Sequence, residues 1–238
     1  MTGTDTHILV SGSSRGIGKA IVEALDGKAV VAGHGTSDQH GRLAADFAVP
    51  GAATDLWNRA LDRLDGRIDV LINNAGIFDP NPITATDEQW LESWNRTMQI
   101  NLTASAELCR LAVKHFQDNS RTGRIVNVAS RAAYRGDSPD HWHYAASKGG
   151  MVAMTKTIAR AYANEEILAF AICPGFTMTG MAEDYLESRG GDKLLADIPL
   201  GRVAQPEEIA SIAVYCALDA PPSMTGAVLD ANGASFVR

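Results

Sequence analysis

Short, unbroken apolar runs alternate along this chain with helix-patterned stretches, and that alternation restricts the fold more than any other feature. The runs fall at 8–10, 29–32, 43–47, 68–72, 124–129, 168–173 and 227–229. Helical patterning falls at 19–25, 53–64, 87–116, 144–163 and after Pro206. A half-exposed strand alternates apolar with polar residues, whereas a strand covered on both faces is apolar throughout. Strands of the second kind, each followed by a helix, predict an α/β fold with a doubly wound parallel sheet of about seven strands. One unit breaks the rhythm. Only residues 34–42 separate the second and third strands, where a parallel crossover usually takes a dozen residues or more. The helix between strands 2 and 3 is therefore expected to be missing or reduced to a turn.

The length of 238 residues allows one large domain or two small ones. No repeat or linker divides the chain, and the strand order assigns residues 1–238 to one domain. The formal net charge of −7 argues against a nucleic-acid partner, which needs a basic surface. The longest apolar run, 167–173, is far below the roughly 20 residues of a membrane-spanning helix. The first residues carry no basic or apolar leader pattern, so a cytoplasmic protein is expected. Cys109, Cys173 and Cys216 are odd in number and widely spaced. That fits buried free thiols rather than disulfides or a zinc site, and no metal is expected.

The first strand runs into Ser11-Gly12-Ser13-Ser14-Arg15-Gly16-Ile17-Gly18. Glycines there permit a tight turn and close approach to a pyrophosphate, and the following helix start offers free N–H groups. Gly12, Ser14, Arg15, Gly16, Ile17 and Gly18 are the candidate dinucleotide contacts, with a plain tight turn as the alternative. In many dinucleotide folds a carboxylate ends the second strand and binds the ribose 2′-hydroxyl. Here the strand ends at Gly33-His34, and no carboxylate appears before Asp38. Arg15 and His34 favour a 2′-phosphate, hence NADP(H) over NAD(H). Asp38 could still reach back, which keeps NAD(H) open.

Tyr144 and Lys148 stand four residues apart, on one face of a helix. A free phenol has a pKa near 10, and an adjacent ammonium lowers it, so the pair can act as an acid/base unit. Ser130 ends the fifth strand, Asn73-Asn74-Ala75-Gly76 the fourth, and Pro174-Gly175-Phe176-Thr177-Met178-Thr179 the sixth. All lie at the carboxyl edge, where ligands bind in such sheets.

With Ile198-Pro199-Leu200-Gly201-Arg202 and Gln205-Pro206-Glu207-Glu208-Ile209-Ala210, these motifs resemble the short-chain dehydrogenase/reductase family, single-domain kind. The likeness runs from Val10 to about Gly233 and is nearest to 3-oxoacyl-(acyl-carrier-protein) reductases. It implies a Rossmann-type fold and hydride transfer between a nicotinamide cofactor and a carbonyl or secondary alcohol. Tyr144 would be the acid or base, Lys148 its electrostatic partner and a ribose contact, and Ser130 a donor to the substrate oxygen. Asn101 would hold a water in the proton relay. Asn74 would brace the central strands, and Ala75 and Gly76 would line the ribose. Asp46, followed by Phe47, would meet the adenine. Pro174, Gly175, Thr177 and Thr179 would flank the nicotinamide. A lid is expected over 178–198, and the pocket is expected to include Tyr134, Trp142 and His143, with simple packing as the alternative for the last two. Arg131 and Arg135 are candidates for meeting an acidic acyl carrier. A homotetramer or homodimer is implied. An NAD-dependent alcohol or polyol dehydrogenase, a non-catalytic dinucleotide sensor and a nucleotide-sugar epimerase remain competing readings.

Overall fold

Seven apolar segments pair into one parallel sheet, in the order β3-β2-β1-β4-β5-β6-β7. The computed structural model describes residues 6–178 and 195–238. The strands are β1 His7–Val10, β2 Val30–Gly35, β3 Leu43–Ala44, β4 Val70–Asn73, β5 Gly123–Val128, β6 Ile167–Pro174 and β7 Val228–Ala231. Their apolar continuity has the expected cause. Leu9, Leu71, Ile125 and Ala169 pack into one core layer. Their neighbours Ile8, Val10, Ile72, Val126 and Phe170 pack into the layer on the opposite face. Helices α2 (Ala52–Arg63) and α4 (Ala104–Asp118) supply the first layer. Helices α1 (Gly16–Ala24) and α7 (Pro206–Leu218) supply the second and pack on each other. This is a Rossmann-type doubly wound α/β sheet.

The order reverses between β1 and β4, which pair in parallel at Ile8–Val70, Leu9–Leu71 and Val10–Ile72. A crevice opens at the carboxyl ends of strands where the winding changes direction. β2 and β3 also pair in parallel, joined only by a 3-10 turn at Gln39–Gly41. The crossover helix is absent, as its short spacing predicts. The chain reverses through left-handed backbone at His40 (φ 56°) and Gly41 (φ 71°). β3 is shorter than the expected 43–47, because Phe47 leaves the ladder to stack on the ring of His34.

The long helix expected over 87–116 is interrupted. Helix α3 (Asp87–Met98) starts with a Thr86–Gln89 capping box, in which the threonine and glutamine side chains satisfy free N–H groups at the helix start. A π-helical segment, Gln99–Thr103, then separates it from α4. Helix α5 (Ala132–Arg135) is a single turn, and α6 (Trp142–Tyr162) carries Tyr144 and Lys148. A buried polar chain ties α6 to the sheet. The Asn73 amide donates to Asn127 Oδ1 at 2.9 Å, and the Asn127 amide donates to Thr155 Oγ1 at 2.8 Å. No helix among the described residues is long and apolar enough to cross a membrane.

Gly123 opens β5 against the fully buried ring of Phe116. An added Cβ would fall 2.3 Å from that ring. Gly123→Ala is expected to lower stability by about 1–3 kcal/mol through overpacking. Urea unfolding should show a lower midpoint at unchanged slope, and an unchanged midpoint would contradict this packing.

Candidate active site

The glycine turn is locked onto the end of β4. Gly12 is left-handed (φ +67°), and a Cβ there would sit 2.6 Å from Ala75 Cα. A Cβ on Gly18 would sit 2.1 Å from Gly12 O. The Asn74 amide donates to that same carbonyl at 2.8 Å, and Ser11 Oγ accepts the N–H groups of Asn74 and Ala75. The brace expected of Asn74 is thus divided. Asn73 joins the central strands, and Asn74 joins the turn to them. No side chain caps the start of α1, and its first turn holds no acid. That helix end presents N–H groups and a partial positive charge to an anion. Glycines at the points of closest approach and an uncapped helix start fit a dinucleotide pyrophosphate, and Ser14, Arg15, Gly16 and Ile17 belong to that turn and helix start.

His34 does not supply the positive charge expected of it. It is 3% exposed. Its Nδ1 accepts the Gly12 N–H at 3.1 Å, and its Nε2 lies 3.0 Å from Ala45 O, to which it donates. One acceptor and one donor nitrogen make a neutral imidazole. Burial lowers its pKa, and the Arg59 charge acts in the same direction. Asp46 is exposed and accepts the Ala48 N–H at 2.9 Å. Phe47 is buried against His34 at 4.4 Å between ring centroids.

At the carboxyl rim, Gly76 is where two expected residues meet. A Cβ on it would lie 3.3 Å from Asn101 Oδ1 and 3.6 Å from Lys148 Nζ. Asn101 sits in the π-helical segment, a distortion that frequently marks functional sites. Its amide exchanges hydrogen bonds with the backbone of Ile77 at 2.8 and 3.0 Å. The Lys148 ammonium donates to Val128 O at 2.9 Å and lies 5.8 Å from the Tyr144 ring centroid. Burial pushes the Tyr144 phenol up to about 12, with the Ser130 hydroxyl pulling the other way. Burial brings Lys148 down to about 8. The depressed phenol pKa expected from the Tyr–Lys pair is therefore not present in this site. Desolvation outweighs an ammonium that is directed to a backbone carbonyl.

The pocket differs in part from its expected lining. Tyr134 stacks on Phe236 and accepts from Arg238 at 3.0 Å, on the C-terminal tail. Trp142 is exposed, and His143 is buried. Phe78, which the sequence reading missed, packs on Tyr144 and is backed by His141, which lies in the segment 131–143 expected at the pocket. Phe78 stacks on His141 at 3.8 Å and meets Tyr144 edge-on at 4.7 Å. Only the position of Phe78, two residues past the Asn-Asn-Ala-Gly run, could have pointed to it. Arg131 and Arg135 both pair with Asp197, at 3.5 and 2.6 Å, so part of the charge proposed for an acidic carrier is already used. Pro174 ends β6. A Cβ on Gly175 would meet Asn232 Cα at 2.8 Å, and Thr177 Oγ1 donates to Gly175 O at 3.3 Å. Thr179 and most of the expected lid, 178–198, lie outside the described residues.

The His34 brace has a pH signature. Its folded pKa lies below the ordinary 6.5, so the unfolded chain takes up the proton first. The stability it contributes is complete above 6.5 and is lost as pH falls towards the folded value. His34→Asn keeps an acceptor for Gly12 and removes the titrating ring. Its urea midpoint should fall less than that of the wild type between about pH 7.5 and about pH 5.5, and an equal fall would contradict the assignment.

Comparison with known proteins identifies the family. The family described as Enoyl-(Acyl carrier protein) reductase matches residues 12–233. The chain is 33% identical over 241 residues to the 3-oxoacyl-[acyl-carrier-protein] reductase FabG of Vibrio cholerae, covering 96% of each chain. It is 35% identical over 243 residues to the acetoacetyl-CoA reductase of Shinella zoogloeoides, covering 96% of this chain and 97% of that one. A crystal structure from Agrobacterium tumefaciens with bound NADP, described as a 2-deoxy-D-gluconate 3-dehydrogenase, superposes with a TM-score of 0.87 at 28% identity. That match covers 99% of this chain and 98% of the other. The chain belongs to the short-chain dehydrogenase/reductase family and is an NAD(P)-dependent oxidoreductase acting on an alcohol or carbonyl group.

Proposed function

We propose that this chain is an NADP(H)-dependent ketoreductase that interconverts a 3-oxoacyl thioester and its 3-hydroxy form. The observation that carries the reading is the convergence on one rim of Asn101 and Lys148 around Gly76, with Tyr144 alongside. Both relatives named above are reductases of 3-oxoacyl groups by name, on acyl carrier protein and on coenzyme A, which supports a thioester as the substrate class. A homotetramer is the assembly the family resemblance implies.

The nicotinamide supplies the hydride in reduction and takes it back in oxidation. The chain supplies the proton and the polarity. A phenol held up to about 12 is protonated at neutral pH and is a competent donor to a ketone oxygen. The Ser130 hydroxyl, beside it, donates a second hydrogen bond to that oxygen and stabilises charge developing there. Lys148, down to about 8, is mostly charged at neutral pH. It stabilises the phenolate left after proton transfer. Asn101 opens the route by which water returns a proton to this group. Phe78, backed by His141, walls the phenol on one side and limits access of bulk water. A sugar-acid or polyol dehydrogenase is the second reading, because the Agrobacterium protein carries that description.

A panel of 3-oxoacyl thioesters, simple ketones and polyols, monitored by NADPH oxidation or NADP reduction, tests the substrate class. Turnover confined to polyols would replace the thioester reading. Tyr144→Phe should lower turnover by about 100- to 10,000-fold, the usual range for a lost general acid, with NADPH binding within twofold of wild type on the order-of-magnitude scale of binding energies. Retained turnover would remove Tyr144 from the proton step. Reduction by the wild type should hold through neutral pH and fall as pH rises through about 8, where Lys148 loses its charge. A rate that is flat through that range would contradict a role for the ammonium.

A further inference from the structure

The segment that carries Ser130 is held from the far end of the chain. Ser130 Oγ accepts the Ala132 N–H at 3.1 Å, and Ser130 O accepts the Ala133 N–H at 3.0 Å. The hydroxyl oxygen is thus tied to the start of α5, while its hydrogen stays free of the backbone. That helix has four residues, Ala132–Arg135, and Gly136 ends it with left-handed backbone (φ 75°). A single turn is not stable alone, because fixing its dihedrals costs more than its first hydrogen bond returns. Its position has to come from tertiary contacts, and residues 235–238 supply them.

The Tyr134 ring is the anchor on α5. Phe236 stacks on it at 5.9 Å between centroids. Arg238 Cζ lies 4.6 Å from its centroid, and Lys156 Nζ on α6 lies 5.7 Å away, both within reach of cation–π attraction. The Arg238 fork then joins two elements. Its Nη1 donates to the Tyr134 hydroxyl at 3.0 Å, its Nε to Asp230 Oδ2 at 2.9 Å, and its Nη2 to Val228 O. The last two partners belong to β7, the edge strand of the sheet. Arg135 adds a bond from its Nη1 to Ser235 O at 3.3 Å. The path of residues 232–238 is itself fixed. Asn232 is buried, and its Oδ1 accepts the Phe236 N–H at 3.1 Å. Ala234 holds left-handed backbone (φ 63°), which a residue with a Cβ keeps only where its surroundings impose it.

We propose that Arg238 is a positioning residue for Ser130, acting through Tyr134 and α5. It fixes α5 against the sheet edge, and α5 fixes the hydroxyl that meets the substrate oxygen. This rests on the reading of Ser130 as a donor to that oxygen and goes further by naming what holds the donor in place. A guanidinium suits the task, because its rigid planar fork sends donors in three set directions at once. Tyr134 thereby serves the site from behind Ser130 rather than from the pocket wall.

Steady-state kinetics of the full chain test the assignment, with whichever substrate of the panel above is turned over. Arg238→Ala should lower kcat by about 10-fold, since a displacement of well under about 1 Å is enough for such a loss. KM and NADPH affinity should stay within about twofold, as for an interaction realised in the transition state. Arg238→Lys should recover only part of kcat, because an ammonium keeps the charge and loses the fork. Ser130→Ala separates positioning from packing. In that background Arg238→Ala should lower kcat by less than about twofold, the non-additivity of two residues that act through one group. An equal fall in both backgrounds would make Arg238 a packing residue, and an unchanged kcat in Arg238→Ala would place the support of Ser130 elsewhere. Either result overturns the proposal while leaving Ser130 as the donor. Full turnover by Ser130→Ala alone would remove the donor role from Ser130, and Arg238's role with it.

Discussion

The Gly12 carbonyl accepts the side-chain amide of Asn74 at 2.8 Å, and much of the site depends on that one bond. β1 and β4 are the strands at which the winding reverses, and their ladder ends just below the crevice. Ser11 and Asn74 continue the tie past the last rung, which sets the glycine turn relative to the rim. Gly18 must be bare for the first turn of α1 to pass this carbonyl. The glycine turn and the Gly76 corner of the rim are thus built on the same pair of strands. A shift in the turn would move both.

The two halves of the crevice handle charge differently. At the rim, burial governs the ionisable groups. Tyr144 is held protonated and Lys148 gives up part of its basicity. At the adenosine end, burial neutralises His34 and makes it a brace between Gly12 and Ala45.

The parallel sheet was legible in the sequence because two-sided burial leaves a local mark, an apolar run without alternation. The trimmed crossover was legible from spacing alone. Ser130, Tyr144 and Lys148 could be named because each lies at a strand end or on a helix face that local pattern defines, whereas Asn101 could be named only through the family resemblance. The π-helical segment around Asn101 was not legible, since a single extra residue in a turn leaves the apolar period nearly intact. His34 was misread because its burial depends on Phe47, which lies beyond a turn whose path the sequence does not show. Phe78 was missed for a related reason. It enters the site through a loop, and loop paths follow from tertiary packing rather than from periodicity.

The central claim is that this rim moves a hydride between a nicotinamide and a carbonyl carbon while the chain moves the proton. Isotope tracing tests it most directly. With NADPH deuterated at the transferable position of its nicotinamide ring, incubation with a 3-oxoacyl thioester should give a 3-hydroxyacyl product with deuterium on the carbinol carbon. The same reaction with unlabelled NADPH in deuterated water should leave that carbon unlabelled. Absence of label in the first case, or carbinol label drawn from solvent in the second, would contradict the account.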